Sequence, residues 1–307
     1  MNSIALSFDI EDWYHTASIA GSSFSLFPDL NDFLTVHKDN YIDCITSETA
    51  RILEILASLN LRATFFVVAD VANRYPEITE MLMNSNHEIA SHSLTHHSAI
   101  SSDTKQPLKP IEVWIDDQKK AKKLLEGMFN REVVGFRAPN AYFANWMVKP
   151  LAEIGFKYDS SIAYNSFYNK TNVRLPRIPS TPYLLNSHTL GPEEADTDLV
   201  ELPWSYLNIL DYKFLPAGGA YFFRLLGFNY FKAVLKQTMK KGDTMFYLHP
   251  LDISQKKIPQ SNTKNRPAFW INKGLKTELR LIKLLKYYRD HFAPCIDVYE
   301  KYRQNAE

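Results

Sequence analysis

Cysteine is nearly absent from this chain of 307 residues, which carries only Cys44 and Cys295. Two thiols so far apart in sequence offer neither a disulfide framework nor a thiolate metal site, and both are read as buried or idle. Charge of one sign is equally lacking: 35 Lys and Arg stand against 34 Asp and Glu, a net charge of +1. That balance gives no general electrostatic reason to expect nucleic acid or an anionic membrane as partner. The local run Lys119, Lys120, Lys122 and Lys123 reads as the solvated face of a helix. No apolar run reaches the roughly 18 residues of a membrane span. A charged segment followed by an apolar stretch is missing at the N-terminus, so a cytoplasmic location is expected, with peripheral membrane contact left open. The sequence shows no internal repeat and no low-complexity segment.

What the chain does have is core material, with 45% hydrophobic and 13% aromatic residues. That is enough for one large domain or two small ones. Apolar strand-like runs alternate with segments of helical period. Ile4 to Phe8 reads as a buried strand, and Ile52, Ile55, Leu56 and Leu59 mark a helix capped near Thr46 or Ser47. Ala63 to Val68 is a second strand; a short helix near Ile78 to Met83 leads to a third, His87 to Ser91. Pro110 opens a long helix carrying Val113, Trp114, Ala121, Leu124, Leu125 and Met128. Val133 to Phe136 is another strand, and a helix around Trp146 to Ile154 stops at Gly155. Leu199 to Leu202 and Thr244 to Leu248 read as strands flanking a helix from about Phe222 to Lys240. Repeated strand-helix units predict an α/β fold with a parallel sheet or a (β/α) barrel. Residues 13 to 40 are irregular and are expected to form a loop bordering the site. A basic loop from about Gln255 to Pro267 precedes an amphipathic helix through Leu275, Leu279, Ile282 and Leu285.

Chemistry collects at the ends of the strands. Asp9, Glu11 and Asp12 close the first, His92 follows the third, and Arg137, Asp159 and His249 each follow an apolar run, as at the C-terminal rim of a barrel. His92 and His96, four apart, project from one helical face or a short helical turn. With a carboxylate from elsewhere they form a divalent-metal ligand set that leaves an open position for water. Three acids at the end of a buried strand are costly without a cation, and a spare carboxylate there would act as general base.

In order, these motifs resemble the polysaccharide deacetylase family, the NodB-homology carbohydrate esterases. Ser7 to Asp12 is similar to its first motif, His92 to His96 to its second, Arg137-Ala138-Pro139 to its third, Asp159-Ser160-Ser161 to its fourth and Leu248-His249-Pro250 to its fifth. The first motif and the segment Pro216 to Arg224, with Ala220 where a third glycine is common, resemble the branch found in bacterial exopolysaccharide and surface-glycan gene clusters. The resemblance implies a distorted (β/α)7-type barrel over residues 1–255 with a C-terminal helical extension, 256–307, packed on it. It implies one divalent ion, zinc or else cobalt or nickel, and removal of acetyl from an N-acetylhexosamine in a glycan or a lipid-linked oligosaccharide. His92 and His96 would be ligands. Either Asp9 is the base with Glu11 or Asp12 as third ligand, or Glu11 is the base with Asp12 as ligand; Asp9 and Asp12 are the favoured pair. His249 would protonate the leaving amine, with Asp159 tuning it and Arg137 orienting the base. A backbone N–H near Tyr142 would meet the oxyanion, and Trp13, Tyr142, Trp204 and Tyr221 are candidates for stacking on sugar rings. Hydrolysis of another, cyclic amide on the same barrel and a catalytically idle glycan-binding scaffold are the alternatives.

Overall fold

The computed structural model describes residues 1–16, 19, 42–163, 169–209, 213–258 and 269–306. Strand β1 (Ile4–Ile10) is buried at every position, as its unbroken apolar run requires of a strand covered on both faces. Helix α1 (Thr46–Leu59) buries Ile52, Ile55, Leu56 and Leu59 and ends on Asn60 in the left-handed region, where Asn is tolerated. Then come β2 (Thr64–Val67), α2 (Ala69–Arg74), α3 (Pro76–Met83) and β3 (Glu88–Ser91). Helix α4 (Ile111–Phe129) starts after Pro110 and buries Trp114, Gln118, Ala121, Leu125 and Phe129, one stripe at helical spacing. Next are β4 (Gly135–Phe136), α5 (Val148–Ile154), β5 (Tyr158–Asp159), β6 (Tyr183–Leu184) and β7 (Val200–Glu201). An antiparallel hairpin comes after them, β8 (Tyr206–Ile209) with β9 (Lys213–Pro216). The chain continues through α6 (Ala220–Thr238), β10 (Thr244–Leu248), α7 (Pro250–Ile253), α8 (Leu275–Tyr287), β11 (Phe292–Ala293) and α9 (Cys295–Ala306).

The strands form one curled sheet in the order β10-β1-β2-β3-β4-β5-β7-β6, with β11 also on β1. All pairs are parallel except β6 with β7. Parallel pairing places the C-terminal end of every strand of this sheet except β6 on one rim, so the strand-end residues of the sequence meet there. The distorted barrel is thus an open half barrel. Outside it, the helices pack against Ile4, Leu6 and Phe8; on the concave side, Ala5, Phe66, Ala90, Tyr158 and Met245 cluster with Cys295 and Val298 of α9. Helix α9 therefore fills the concave face from the N-terminal end of the strands. Of the two expected segments, the second contributes β11 to the sheet of the first, and α8 packs on α6 and α7.

Both cysteines are buried and free. Among the described residues no helix is long and apolar enough to cross a membrane. The loop expected over 13 to 40 lies outside the described residues apart from 13–16 and 19, as does 259–268 of the basic loop.

Candidate active site

Residues two apart on a strand share a face, and Asp9 and Glu11 both line the cleft at the rim. The chain turns immediately afterwards. Asp12 caps a 3-10 turn, Trp13–His15, by accepting the Trp13 N–H at 2.7 Å, and its other oxygen accepts the Tyr75 hydroxyl. The structure therefore turns Asp12 away from the histidines and brings Glu11 to them. Trp13 goes the same way: it is buried in the core, its Nε1–H donating to the Ile42 carbonyl at 3.1 Å, and so has no face to offer a sugar.

His92 and His96 sit on a loop, not on the helical turn their spacing suggests. Ser93 and His96 both have left-handed φ, 71° and 60°. The loop is pinned because its Ser93 and Leu94 carbonyls accept the Ala69 and Asp70 amides, the first unsatisfied donors of α2. That fold-back brings the two Nε2 atoms to 3.2 Å from each other. Glu11 Oε2 stands 2.5 Å from His96 Nε2 and 3.5 Å from His92 Nε2. One ligand atom from each of Glu11, His92 and His96 lies within 4.8 Å of the others, and all three residues are buried. Burial works to raise the Glu11 pKa, but the neighbouring His96, His249 and His92 outweigh it and hold the carboxyl well below its usual range.

The donor set fits a divalent ion. His92 Nδ1–H donates to the Arg137 carbonyl at 2.8 Å, which leaves the Nε2 lone pair facing Glu11, the arrangement that metal-ligating histidines show. Two imidazole nitrogens bound tetrahedrally at about 2.0–2.1 Å from one ion lie roughly 3.3 Å apart, close to the spacing found here. Two imidazoles and a carboxylate are also a common zinc set.

Arg137 follows β4 and is fully buried. Its Nη1 donates to Asp9 Oδ1 at 2.5 Å and to Ser7 Oγ at 3.0 Å, while Nε and Nη2 hold the carbonyl and hydroxyl of Ser160. A buried guanidinium so engaged fixes the orientation of the carboxylate it neutralises. Asp159 is farther back: it accepts the Ser161 hydroxyl at 2.6 Å, and Ser161 Oγ accepts the Ala138 amide at 2.8 Å. Burial pushes the Asp159 carboxyl up to about 6, and burial together with Asp159 raises Glu201 well above the carboxylate range. This pair supports the turn after Arg137.

The residue that meets His249 is Asp252, in place of the expected Asp159. His249 Nδ1–H donates to Asp252 Oδ2 at 3.0 Å, and the His249 amide donates to the same oxygen at 2.8 Å. Asp252 Oδ1 takes a guanidinium N–H of Arg224. On its far side, His249 Nε2 is 3.6 Å from Glu11 Oε1 and 3.8 Å from Asp9 Oδ2. Burial depresses the His249 pKa, and Glu11 and Asp9 act against that.

In the turn after Arg137, Asn140 and Ala141 have left-handed φ, 54° and 57°, and both line the cleft. The Tyr142 amide donates to the Pro139 carbonyl at 3.1 Å and the Ala141 amide to Ala138 at 2.9 Å. The Tyr142 N–H is therefore already engaged inside its own turn. Trp204 and Tyr221 do line the cleft, joined by Lys170, Phe269 and Trp270. Trp204 is held by an Nε1–H bond to the Ser160 carbonyl and by the Tyr247 ring, 4.3 Å between centroids.

Sequence reasoning missed Asp252, Lys170, Phe269 and Trp270. Asp252 had a local signal, since an Asp three residues after His249 with Pro250 between is a helix-capping pattern. The other three come from irregular segments whose placement no periodicity predicts.

The half-barrel rim thus carries a Glu-His-His cluster beside an Arg-held aspartate. Residues 38–158 match the family model described as polysaccharide deacetylase, and residues 168–299 match one described as Domain of unknown function (DUF3473). Over the first of these spans the chain is similar to the polysaccharide deacetylases. It is 27% identical over 169 residues to a peptidoglycan deacetylase of Helicobacter pylori, covering 50% of this chain and 51% of that one. Over 110 residues it is 27% identical to a peptidoglycan-N-acetylglucosamine deacetylase of Bacillus cereus, covering 36% and 47%. The chain thus spans about half the length of these curated relatives. A crystal structure assigned to the polysaccharide deacetylases, from Mycobacterium smegmatis, superposes with a TM-score of 0.62 at 19% identity, covering 99% of this chain and 92% of that one. The PuuE allantoinase superposes at 0.51 with 14% identity over 97% and 88%. These two likenesses are of fold.

Proposed function

We propose that this chain is a metal-dependent N-deacetylase acting on an N-acetylhexosamine in a bacterial surface glycan or its lipid-linked precursor. The observation that carries the reading is the convergence of Glu11, His92 and His96 beside Asp9 and His249. Glu11, His92 and His96 would hold the ion, most simply zinc. A divalent ion bound there supplies Lewis acidity, which makes water easier to deprotonate near neutral pH and polarises the acetamide carbonyl.

Asp9 is the base. Arg137 occupies its Oδ1, which leaves Oδ2 facing the cleft to take the proton of the attacking water. Asn140 lines the cleft in the turn whose next two amides are spent internally, and its N–H would donate to the developing oxyanion. His249, protonated on both nitrogens with Nδ1–H held by Asp252, delivers its Nε2 proton to the nitrogen as the C–N bond breaks and returns to the Nδ1–H neutral ring, because an amine leaves and an amide anion does not. Products are acetate and the free amino sugar. Trp204, Tyr221 and Trp270 give the cleft aromatic walls of the kind that sugar rings pack on.

Acetate release from N-acetylglucosamine oligomers and a lipid-linked N-acetylhexosamine, measured with and without chelator, tests the reading. Release that stops on chelation and returns with zinc is expected. Release indifferent to metal removal would sink the mechanism.

A further inference from the structure

The segment that opens α6 has no assigned part in the chemistry, yet it ends on Arg224, a buried guanidinium at the cleft wall. Its approach is built for closeness. Gly219 has a φ of 135°, and a Cβ there would overlap the Tyr247 carbonyl oxygen, so only glycine lets this backbone dock on β10. The Tyr247 amide donates to the Gly218 carbonyl at 2.8 Å. Tyr247 lies two residues before His249, so this docking sets α6 against the strand that delivers the histidine.

Arg224 is then locked from several sides. Its carbonyl accepts Asn272 Nδ2 at 2.8 Å and Arg280 Nη1 at 2.6 Å, and its Nη2 donates to the Phe269 carbonyl at 2.5 Å. Its Nη1 donates to Asp252, 1% exposed. Asp252 has one oxygen on Arg224 and the other on both the amide and the Nδ1–H of His249.

We propose that Asp252, anchored by Arg224, is the positioning residue for His249: it fixes the Nδ1–H tautomer and aims Nε2 at the scissile amide. This rests on the deacetylase reading for the reaction, but the orientation itself is independent of it. The logic is that of a carboxylate behind a catalytic imidazole. A histidine without that acceptor could carry its neutral-state proton on Nε2 or rotate about its side-chain bonds, and either disperses the productive geometry. Asp159, the strand-end acid otherwise suited to this task, is committed to Ser161 and Glu201.

The test pairs kinetics with a direct view of the ring. Asp252→Asn, assayed on an N-acetylglucosamine tetramer in the zinc-loaded full chain, is expected to lower kcat by about a hundredfold or more with KM within about twofold. Zinc should remain at one per chain, and Asp252→Glu should recover part of the loss. A folded, zinc-loaded Asp252→Asn that keeps kcat within about twofold overturns the proposal. Should that variant fail to fold, or the wild type release no acetate, 15N-edited NMR of the wild-type histidine rings decides. His249, assigned by its loss in His249→Gln, must show a hydrogen-bonded Nδ1 proton; a ring protonated on Nε2 alone overturns the proposal even if the deacetylase reading stands. An Nδ1 proton in a chain without activity upholds the orientation while the deacetylase reading fails.

Discussion

Asp9, Glu11 and Asp12 show how backbone direction separates neighbouring carboxylates, two toward the cleft and one to a cap. The strand's alternation puts Asp9 and Glu11 on the cleft side, and the 3-10 turn removes Asp12 to cap its own helix and bind Tyr75. The sequence left this division open because the residue at which a strand stops is set by tertiary contacts of the next turn, and a cap cannot be told from a ligand by residue type. Glu11→Ala is expected to abolish stoichiometric zinc binding measured by elemental analysis. Asp12→Asn should keep the zinc while lowering stability by about 1–2 kcal/mol in chemical denaturation, through the weakened cap and hydroxyl bond. Asp9→Asn should retain zinc and lose about 10²–10⁴ in kcat; loss of the ion in that variant would place Asp9 among the ligands.

A different acid governs the pH response of the fold. Glu88 is half-buried at the foot of the sheet, accepting from Tyr158 at 2.7 Å, Thr64 at 2.5 Å and the Ile296 amide at 2.9 Å. Burial pushes its pKa up from 4.5 to about 7 despite those donors. The folded state therefore holds this proton more tightly than the unfolded one. Its contribution is complete below about pH 4.5, shrinks as pH rises toward 7 and is gone above that, a change of about 3 kcal/mol. Urea melts of the wild type against Glu88→Gln should diverge across that window, with the variant lacking this component. Parallel curves would show that Glu88 does not titrate there.

At the scale of elements, the strands and long helices were legible because burial writes its period into the sequence: Trp114, Ala121 and Leu125 line α4, and Ile4 to Phe8 read as a covered strand. The pieces that escaped notice were short or governed by tertiary contacts. Helix α2 exists because the histidine loop's carbonyls satisfy its first amides, and β11 has two residues paired with Ile4 and Ala5. Helix α6 was legible in outline but not its break at Gly227, where φ is 76° and ψ is −172° and the Arg280 guanidinium packs at 3.0 Å from a built Cβ. The glycine-rich approach to α6 gives a paired prediction. Gly219→Ala should cost about 2 kcal/mol or more, since the methyl would strike the Tyr247 carbonyl in a backbone region closed to alanine. Gly127→Ala in α4, where nothing lies within 4 Å of the added atom, should instead stabilise by about 0.5–1 kcal/mol. Thermal melts of the two variants distinguish a structural requirement from a general dislike of substitution.

For the whole molecule, the parallel half barrel explains why residues as far apart as Asp9, His92, Arg137 and His249 form one site. Each lies at or just past the end of a strand, and the rim collects them. The order of motifs made that rim visible in the sequence, whereas the cleft walls from Lys170, Phe269 and Trp270 depend on irregular segments. Helix α9 closes the opposite end, so the Glu11-His92-His96 cluster and the Glu88 network sit at the two ends of one sheet. The central claim is that Glu11, with His92 and His96, holds the ion on which deacetylation turns. Anomalous-difference maps collected at the zinc edge from crystals of the zinc-loaded chain test it most directly. One peak is expected, bounded by Glu11 Oε2 and the two Nε2 atoms, with Asp12 still on Trp13 and Tyr75. A peak bound through Asp12, or no peak between the histidines, would contradict it.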